Sequence, residues 1–214
     1  MKKYLSIICL IPLLLSCNLL SRQHQPEKTV QSDNQDIQGE YYFSADFDGS
    51  EIQYKQDQDD YLNVYGEGVW ANDSGIIEGE YFSAFMQYQA VKNKAYFGFI
   101  VNFEKSSEPN LQEIFDAFST GAWDFAVVDT VNQARIIKPG AYIDIVDQEG
   151  KLWSSTYIDN NQDSKFKVLE IVDNEESLSR KTITVEFSCT LFDLQGNTKQ
   201  ITNGKARGML FMVN

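Results

Sequence analysis

The feature that most restricts this 214-residue chain is a two-residue alternation of apolar and polar side chains that recurs along its length. Its cleanest instance runs from Thr182 to Leu191. Ile183, Val185, Phe187, Cys189 and Leu191 alternate there with Thr182, Thr184, Glu186, Ser188 and Thr190. Successive strand side chains point to opposite faces, so such a run is a strand with one buried and one wet face. Ala95, Phe97, Phe99, Val101 and Phe103 keep the same period. Tyr41–Phe47, Asp48-Gly49 and Ser50–Tyr54 read as a tight hairpin, because Asp-Gly accepts the positive φ of a type I′ turn. Further strands are expected near 61–70, 79–88, 123–128, 141–147, 151–158, 165–172 and 205–213. Turn residues at Asp147 to Gly150, Asp159 to Ser164, Gln195 to Asn197 and Asn203-Gly204 separate several of them.

One helix interrupts this pattern. Leu111, Ile114, Phe115 and Phe118 fall at i, i+3, i+4 and i+7, with Asn110 as cap, Glu113 three residues later and Gly121 as a stop. The spacing predicts a short helix near 110–119. Many short strands, frequent turns and one helix predict a mainly β domain, an antiparallel β-sandwich of jelly-roll type. A closed β-barrel is the alternative.

The first sixteen residues carry a different pattern. Lys2 and Lys3 precede an apolar run from Tyr4 to Leu15, broken only by Ser6 and Pro12. That run is shorter than the roughly 20 residues a spanning helix needs, so it reads as a secretory signal over 1–16. Leu14-Leu15-Ser16-Cys17 resembles the lipobox of bacterial lipoproteins, in which the cysteine sulfur takes a diacylglyceryl group before cleavage. This resemblance implies lipidation at Cys17 and attachment to the bacterial outer membrane, on either its periplasmic or its surface face. Two or more acyl chains hold a protein stably, at about 0.8 kcal/mol per buried methylene. From Cys17 to Gly39 the chain is polar, with five glutamines and no apolar period, and reads as a flexible tether. The β domain then occupies 40–214.

Loss of the signal leaves 16 basic against 31 acidic residues, a formal charge of −15. Such a surface repels phosphate backbones, so nucleic acid is not an expected partner. Cys9 leaves with the signal and Cys17 is lipidated. Only Cys189 then remains, which excludes an internal disulfide. The single histidine, His24, lies in the tether. Triads and zinc sites that need histidine from this chain are therefore disfavoured, and an enzyme here would rely on carboxylates, Lys, Tyr or Ser.

Four groups of residues invite a functional reading. Asp159, Asn161, Asp163 and Glu170 fall at positions one, three, five and twelve of a calcium loop. Ser164 stands where such a loop has glycine, and Lys165 and Lys167 bring positive charge, so a polar hairpin turn explains the same residues. Asp57-Gln58-Asp59-Asp60 is a second acidic group, read as a solvated loop or as part of a shared cation site. Trp70, Trp123 and Trp153 are either core aromatics or stacking platforms for a sugar ring. Trp153 is the best placed for a ligand face, beside Ser154, Ser155 and Thr156. Cys189, between Phe187 and Leu191, reads as a buried small apolar residue.

Three stretches carry a wider likeness: Tyr42-Phe43-Ser44-Ala45-Asp46-Phe47-Asp48-Gly49, Gly140-Ala141-Tyr142-Ile143-Asp144-Ile145 with Gly150 and Trp153-Ser154-Ser155, and Ile201-Thr202-Asn203-Gly204-Lys205. Together they resemble a large group of uncharacterised lipoproteins of Bacteroidota. The resemblance implies a secreted, lipid-anchored β domain and brings no known activity. The expected function is a membrane-anchored, non-catalytic binding or structural module whose partner is a glycan or an envelope protein. A carboxylate-based enzyme such as a glycoside hydrolase is the alternative, since it needs only two acids set across a cleft.

Overall fold

Alternation along the strands becomes a sheet with one apolar face, and the sheet curls to bury it. The computed structural model describes residues 41–72, 75–129, 135–157, 163–173 and 179–211. Its first five strands are β1 (Tyr42–Phe47), β2 (Ser50–Lys55), β3 (Tyr61–Ala71), β4 (Ile77–Gln87) and β5 (Lys94–Asn102). The one helix among the described residues, α1 (Leu111–Asp116), leads to β6 (Gly121–Trp123), β7 (Val127–Asp129), β8 (Arg135–Lys138) and β9 (Gly140–Val146). The chain closes with β10 (Leu152–Ser154), β11 (Lys165–Asp173), β12 (Arg180–Phe192) and β13 (Thr198–Phe211).

The main sheet runs in the order β2-β1-β13-β12-β10-β9-β5-β4-β3, with β11 and β6 branching from β12, and all its pairings are antiparallel. It curls into an open, sandwich-like half-barrel rather than the closed barrel. The two arms of the curl touch where Met209 N–H donates to Asn63 Oδ1 at 3.1 Å. Inside the curl, Phe43 of β1 meets Phe187 of β12 at 5.3 Å and Phe85 of β4 at 6.1 Å between ring centroids. Phe166 of β11 meets Phe99 of β5 at 5.6 Å. Each such ring stabilises the fold by roughly 1.5–3 kcal/mol through removal from water.

The alternating residues of β5 and β12 all face this core: Ala95, Phe97, Phe99 and Val101, then Ile183, Val185, Phe187, Cys189 and Leu191. The β1–β2 turn has Asp48 at φ 51° and Gly49 at φ 80°, as the Asp-Gly pair requires. Helix α1 carries the expected capping box, in which Asn110 accepts from Glu113 N–H and Glu113 accepts from Asn110 N–H.

Four boundaries differ from expectation. Asn203-Gly204 is not a turn: β13 runs through it without a break, and Asn203 at φ 52° forms a bulge opposite the step from Phe187 to Cys189. Pairing on both sides, with β1 and β12, holds the strand together through that irregularity. The 123–128 stretch divides into the end of β6 and the start of β7, with Phe125 bridging Ala141 between them. α1 stops at Asp116, before Gly121, which instead opens β6 at φ 114°. Of the strand expected over 151–158, the described residues 151–157 form only Leu152–Ser154, and position 158 lies outside the described residues.

Candidate functional site

Four connections gather at one end of the half-barrel: 56–60, 88–93, 147–151 and 193–197. Tyr61 O–H donates to the Asn93 carbonyl, Gln87 Nε2 donates to the Asp59 carbonyl at 2.9 Å, and Asn93 N–H donates to the Asp147 carbonyl. Between the first two connections lies an open groove of about 580 Å³, lined by Asp57, Asp60, Tyr61, Leu62, Gln87 and Tyr88. Tyr88 stands 68% exposed at its edge. Tyr61 forms its floor, stacked on Tyr54 at 4.7 Å. Burial, and then the charge of Asp59, raise the Tyr61 phenol above its ordinary pKa.

The backbone around this groove is unusual. Asp57 (φ 63°), Asp59 (φ 52°), Asp60 (φ 62°), Gln89 (φ 58°) and Asn93 (φ 53°) all adopt the left-handed region. Such conformations cost energy in residues with a Cβ and concentrate at ligand-binding loops.

The other two connections are near copies of one turn. In 147–151, Asp147 Oδ1 accepts from Glu149 N–H and Lys151 N–H, and in 193–197, Asp193 Oδ1 accepts from Gln195 N–H and Asn197 N–H. Gly150 (φ 83°) and Gly196 (φ 82°) supply the left-handed position each turn needs. The turns exchange cations: Lys151 pairs with Asp193, and Lys199 lies 3.6 Å from Asp147. The Trp153 ring sits between, 4.5 Å from each ammonium, and its indole N–H donates to Asp147 Oδ2 at 2.8 Å. Burial alone would raise the Asp147 and Asp193 carboxyls. The hydrogen bonds and lysines outweigh it, and both lie below the ordinary aspartate range.

A third polar group occupies the outer face of β4, β5 and β9. Pairing brings Ala84, Tyr96 and Asp144 into one row and Phe82, Gly98 and Tyr142 into the next. The Tyr142 ring crosses Gly98, where a Cβ would come within 2.6 Å of it, and its O–H donates to Glu80 Oε1 at 2.7 Å. Asp144 Oδ1 is sealed from solvent and, among the described residues, has no hydrogen-bond partner. Burial raises the Asp144 carboxyl to about 7; a hydrogen bond from Ser154 opposes the rise and the Glu80 charge adds to it. Glu80 is raised as well, by burial, against the hydrogen bond from Tyr142. Val128 of β7 and Ile136 of β8 pack against the apolar neighbours Ile100, Ala126 and Tyr142. These two acids therefore lie under cover rather than in a cleft.

The residues singled out from sequence are scattered. Cys17, Asp159 and Asn161 lie outside the described residues. Asp163 lines a separate cleft of about 370 Å³ with Ser164, Ser188 and Thr190. Glu170 sits on β11 and accepts from Arg207 at 2.8 Å. Among the described residues, no three His, Cys, Asp or Glu side chains converge as a metal site would require. Trp153 is 5% exposed and its ring belongs to the core, so its face is turned away from any sugar. Trp123 packs on Phe99 at 4.8 Å, and Trp70 N–H is held by Glu78 at 3.1 Å. Cys189 is buried, and burial pushes its thiol up.

Tyr88 and Gln87 escaped sequence reading because Tyr88-Gln89-Ala90-Val91 contains no glycine, proline or aspartate to mark a loop. The Glu80–Asp144 group leaves no local signal, being 64 residues apart in sequence. No family model, curated protein or solved structure matches the chain.

Proposed function

We propose that this chain is a non-catalytic binding module, lipid-anchored through Cys17 at the bacterial outer membrane, whose loop groove takes a glycan. The observation that carries the reading is the juxtaposition of exposed Tyr88 with Asp57, Asp60 and Gln87 along one open groove. An aromatic face packs against the C–H face of a pyranose. Carboxylates accept from sugar hydroxyls, and an amide both donates and accepts. The left-handed residues on both flanks hold these groups in a fixed arrangement before a ligand arrives. The acidic surface keeps the module off anionic headgroups, and the anchor alone holds it at the membrane.

A glycan array probed with the purified protein, followed by calorimetry on the best ligand, tests the groove. Tyr88→Ala is expected to weaken binding by about tenfold or more, as loss of an aromatic anchor does. Val91→Ala, in the same connection but outside the groove lining, should leave it unchanged. An empty array, or full affinity in Tyr88→Ala, would sink the glycan reading; capture of an envelope protein instead would redirect it. Mass spectrometry of the mature N-terminus should find acylated Cys17, and Cys17→Ser should leave the membrane fraction. Asp57 and Asp60 facing one groove favour a glycoside hydrolase as second reading. Cleavage of the bound glycan that vanishes in Asp60→Asn, with binding retained, would decide for it.

A further inference from the structure

Of the three tryptophans, Trp123 and Trp153 pack against or within the core, whereas Trp70 of β3 stands 37% exposed and belongs to no core cluster. Its ring is nevertheless fixed on two sides. The six-membered ring lies over Gly68, where a Cβ would sit 3.3 Å from it, so glycine lets the indole rest against the outer face of the sheet. Its N–H donates to Glu78 Oε2 at 3.1 Å, and Glu78 Oε1 accepts from Asn72 Nδ2 at 2.9 Å. Glu78 is itself buried and, among the described residues, pairs with no lysine or arginine. Burying a carboxylate costs free energy that hydrogen bonds to its oxygens only partly offset. That cost is met here to hold a ring that adds little to the core. What the arrangement secures is the orientation of an exposed indole.

The neighbours of the ring decide between ligands. Register sets Trp70, Glu78 and Asn102 side by side in one row of the sheet. Asn102 is exposed, and its Oδ1 accepts from Glu104 N–H at 2.9 Å, which leaves the amide NH2 to donate. Val69 points to the opposite face and Leu62 lies at the other end of β3. Trp70 is therefore one aromatic ring among polar groups, without the contiguous apolar patch that a protein partner would need. A cationic ligand would want an unengaged carboxylate beside the ring, and both oxygens of Glu78 are taken. An aromatic face bordered by a neutral amide fits the C–H face and hydroxyl rim of a pyranose. We propose that Trp70 is a stacking platform for one sugar ring of a neutral polysaccharide. Asn102 donates to the sugar hydroxyls, and Glu78 and Gly68 position the indole. β3 runs from Tyr61 in the loop groove to Trp70, and at about 3.3 Å per residue the two lie roughly 30 Å apart. The platform rests on the proposed function for its class of ligand and shares none of the groove residues.

The test adds laminarin, xylan, mannan or soluble starch to the full-length protein. At least one of these polysaccharides should bind saturably in calorimetry and shield the tryptophan fluorescence from acrylamide. Trp70→Ala should weaken that binding by about tenfold or more and remove the shielding. Trp70→Phe keeps an aromatic face and should recover part of the affinity. Asn102→Ala, at an exposed position, should weaken binding severalfold with an unchanged melting temperature. Where Trp70→Ala fails to fold, Trp70→Phe and Asn102→Ala carry the result. A ring that merely covers Gly68 would lower the melting temperature on removal and leave binding as it was. That outcome, or no binding of any of the four polysaccharides, would overturn the proposal. Tyr88→Ala separates the two sites: binding lost in Trp70→Ala but kept in Tyr88→Ala upholds the platform against the groove, and the reverse overturns it.

Discussion

Two pairs of partly or fully buried aspartates and glutamates sit on this sheet and behave in opposite ways. Asp147 and Asp193, at the tips of two turns, are held below the ordinary carboxylate range, while Glu80 and Asp144, on the outer face of the sheet, are held above it. Both pairs pay the cost of burial. The difference lies in what each carboxylate finds when it arrives. A turn folds its own backbone N–H groups around the aspartate that starts it, and the two neighbouring turns exchange lysines. A strand spends its N–H groups on the ladder, so a carboxylate on its face meets only side chains. For Asp144 and Glu80 those are hydroxyls of Ser154 and Tyr142, and among the described residues no ion pair reaches them. Local backbone geometry thus decides whether an acid supports this fold or strains it.

The contrast can be broken at its stable side first. Asp147→Ala leaves the Trp153 indole and two backbone N–H groups without their acceptor and should cost about 3 kcal/mol in urea unfolding. Asp144→Asn should act with the opposite sign. The folded carboxyl titrates near 7 against an ordinary value of 3.8, so its penalty is absent below about pH 4, grows between pH 4 and 7, and is complete above. A displacement of that size corresponds to about 4 kcal/mol; with water entry and relaxation around the charge, Asp144→Asn should stabilise the protein by about 2 kcal/mol at pH 8 and hardly at all at pH 4. A variant no more stable than wild type at pH 8 would show that Asp144 is well solvated.

The smallest effect belongs to the cation exchange. Asp147 and Asp193 have depressed folded pKa values, so their contribution is present above the unfolded value near 3.8 and is lost as pH falls through the folded ones. Melting temperature should therefore drop on the acid side, below about pH 4. Lys151→Met should lower stability by about 1 kcal/mol at pH 7 and make that acid limb shallower. An acid limb as steep as that of wild type would assign it to other carboxylates.

Much of this fold was legible from the chain alone where the signal is local. The period-two runs of β5 and β12, the Asp48-Gly49 turn and the Asn110–Glu113 capping box each depend on residues within a few positions of one another. The failures share a cause. Asn203-Gly204 looks like a turn in isolation, yet neighbours on both sides carry β13 through it as a bulge. Trp153 follows a turn and precedes three hydroxyl residues, a setting that suggests exposure, yet the turn before it curls a carboxylate back onto its N–H and seats the ring in the core.

The sequence by itself determined that this is an acidic, mainly β domain, because alternation, composition and turn chemistry act over short spans of chain. Only the tertiary structure decided which acids are stable and which aromatic stands open. Those properties arise when the sheet curls: Glu80 meets Tyr142, Lys151 meets Asp193 and Gln87 meets Asp59 across distances that no local pattern records.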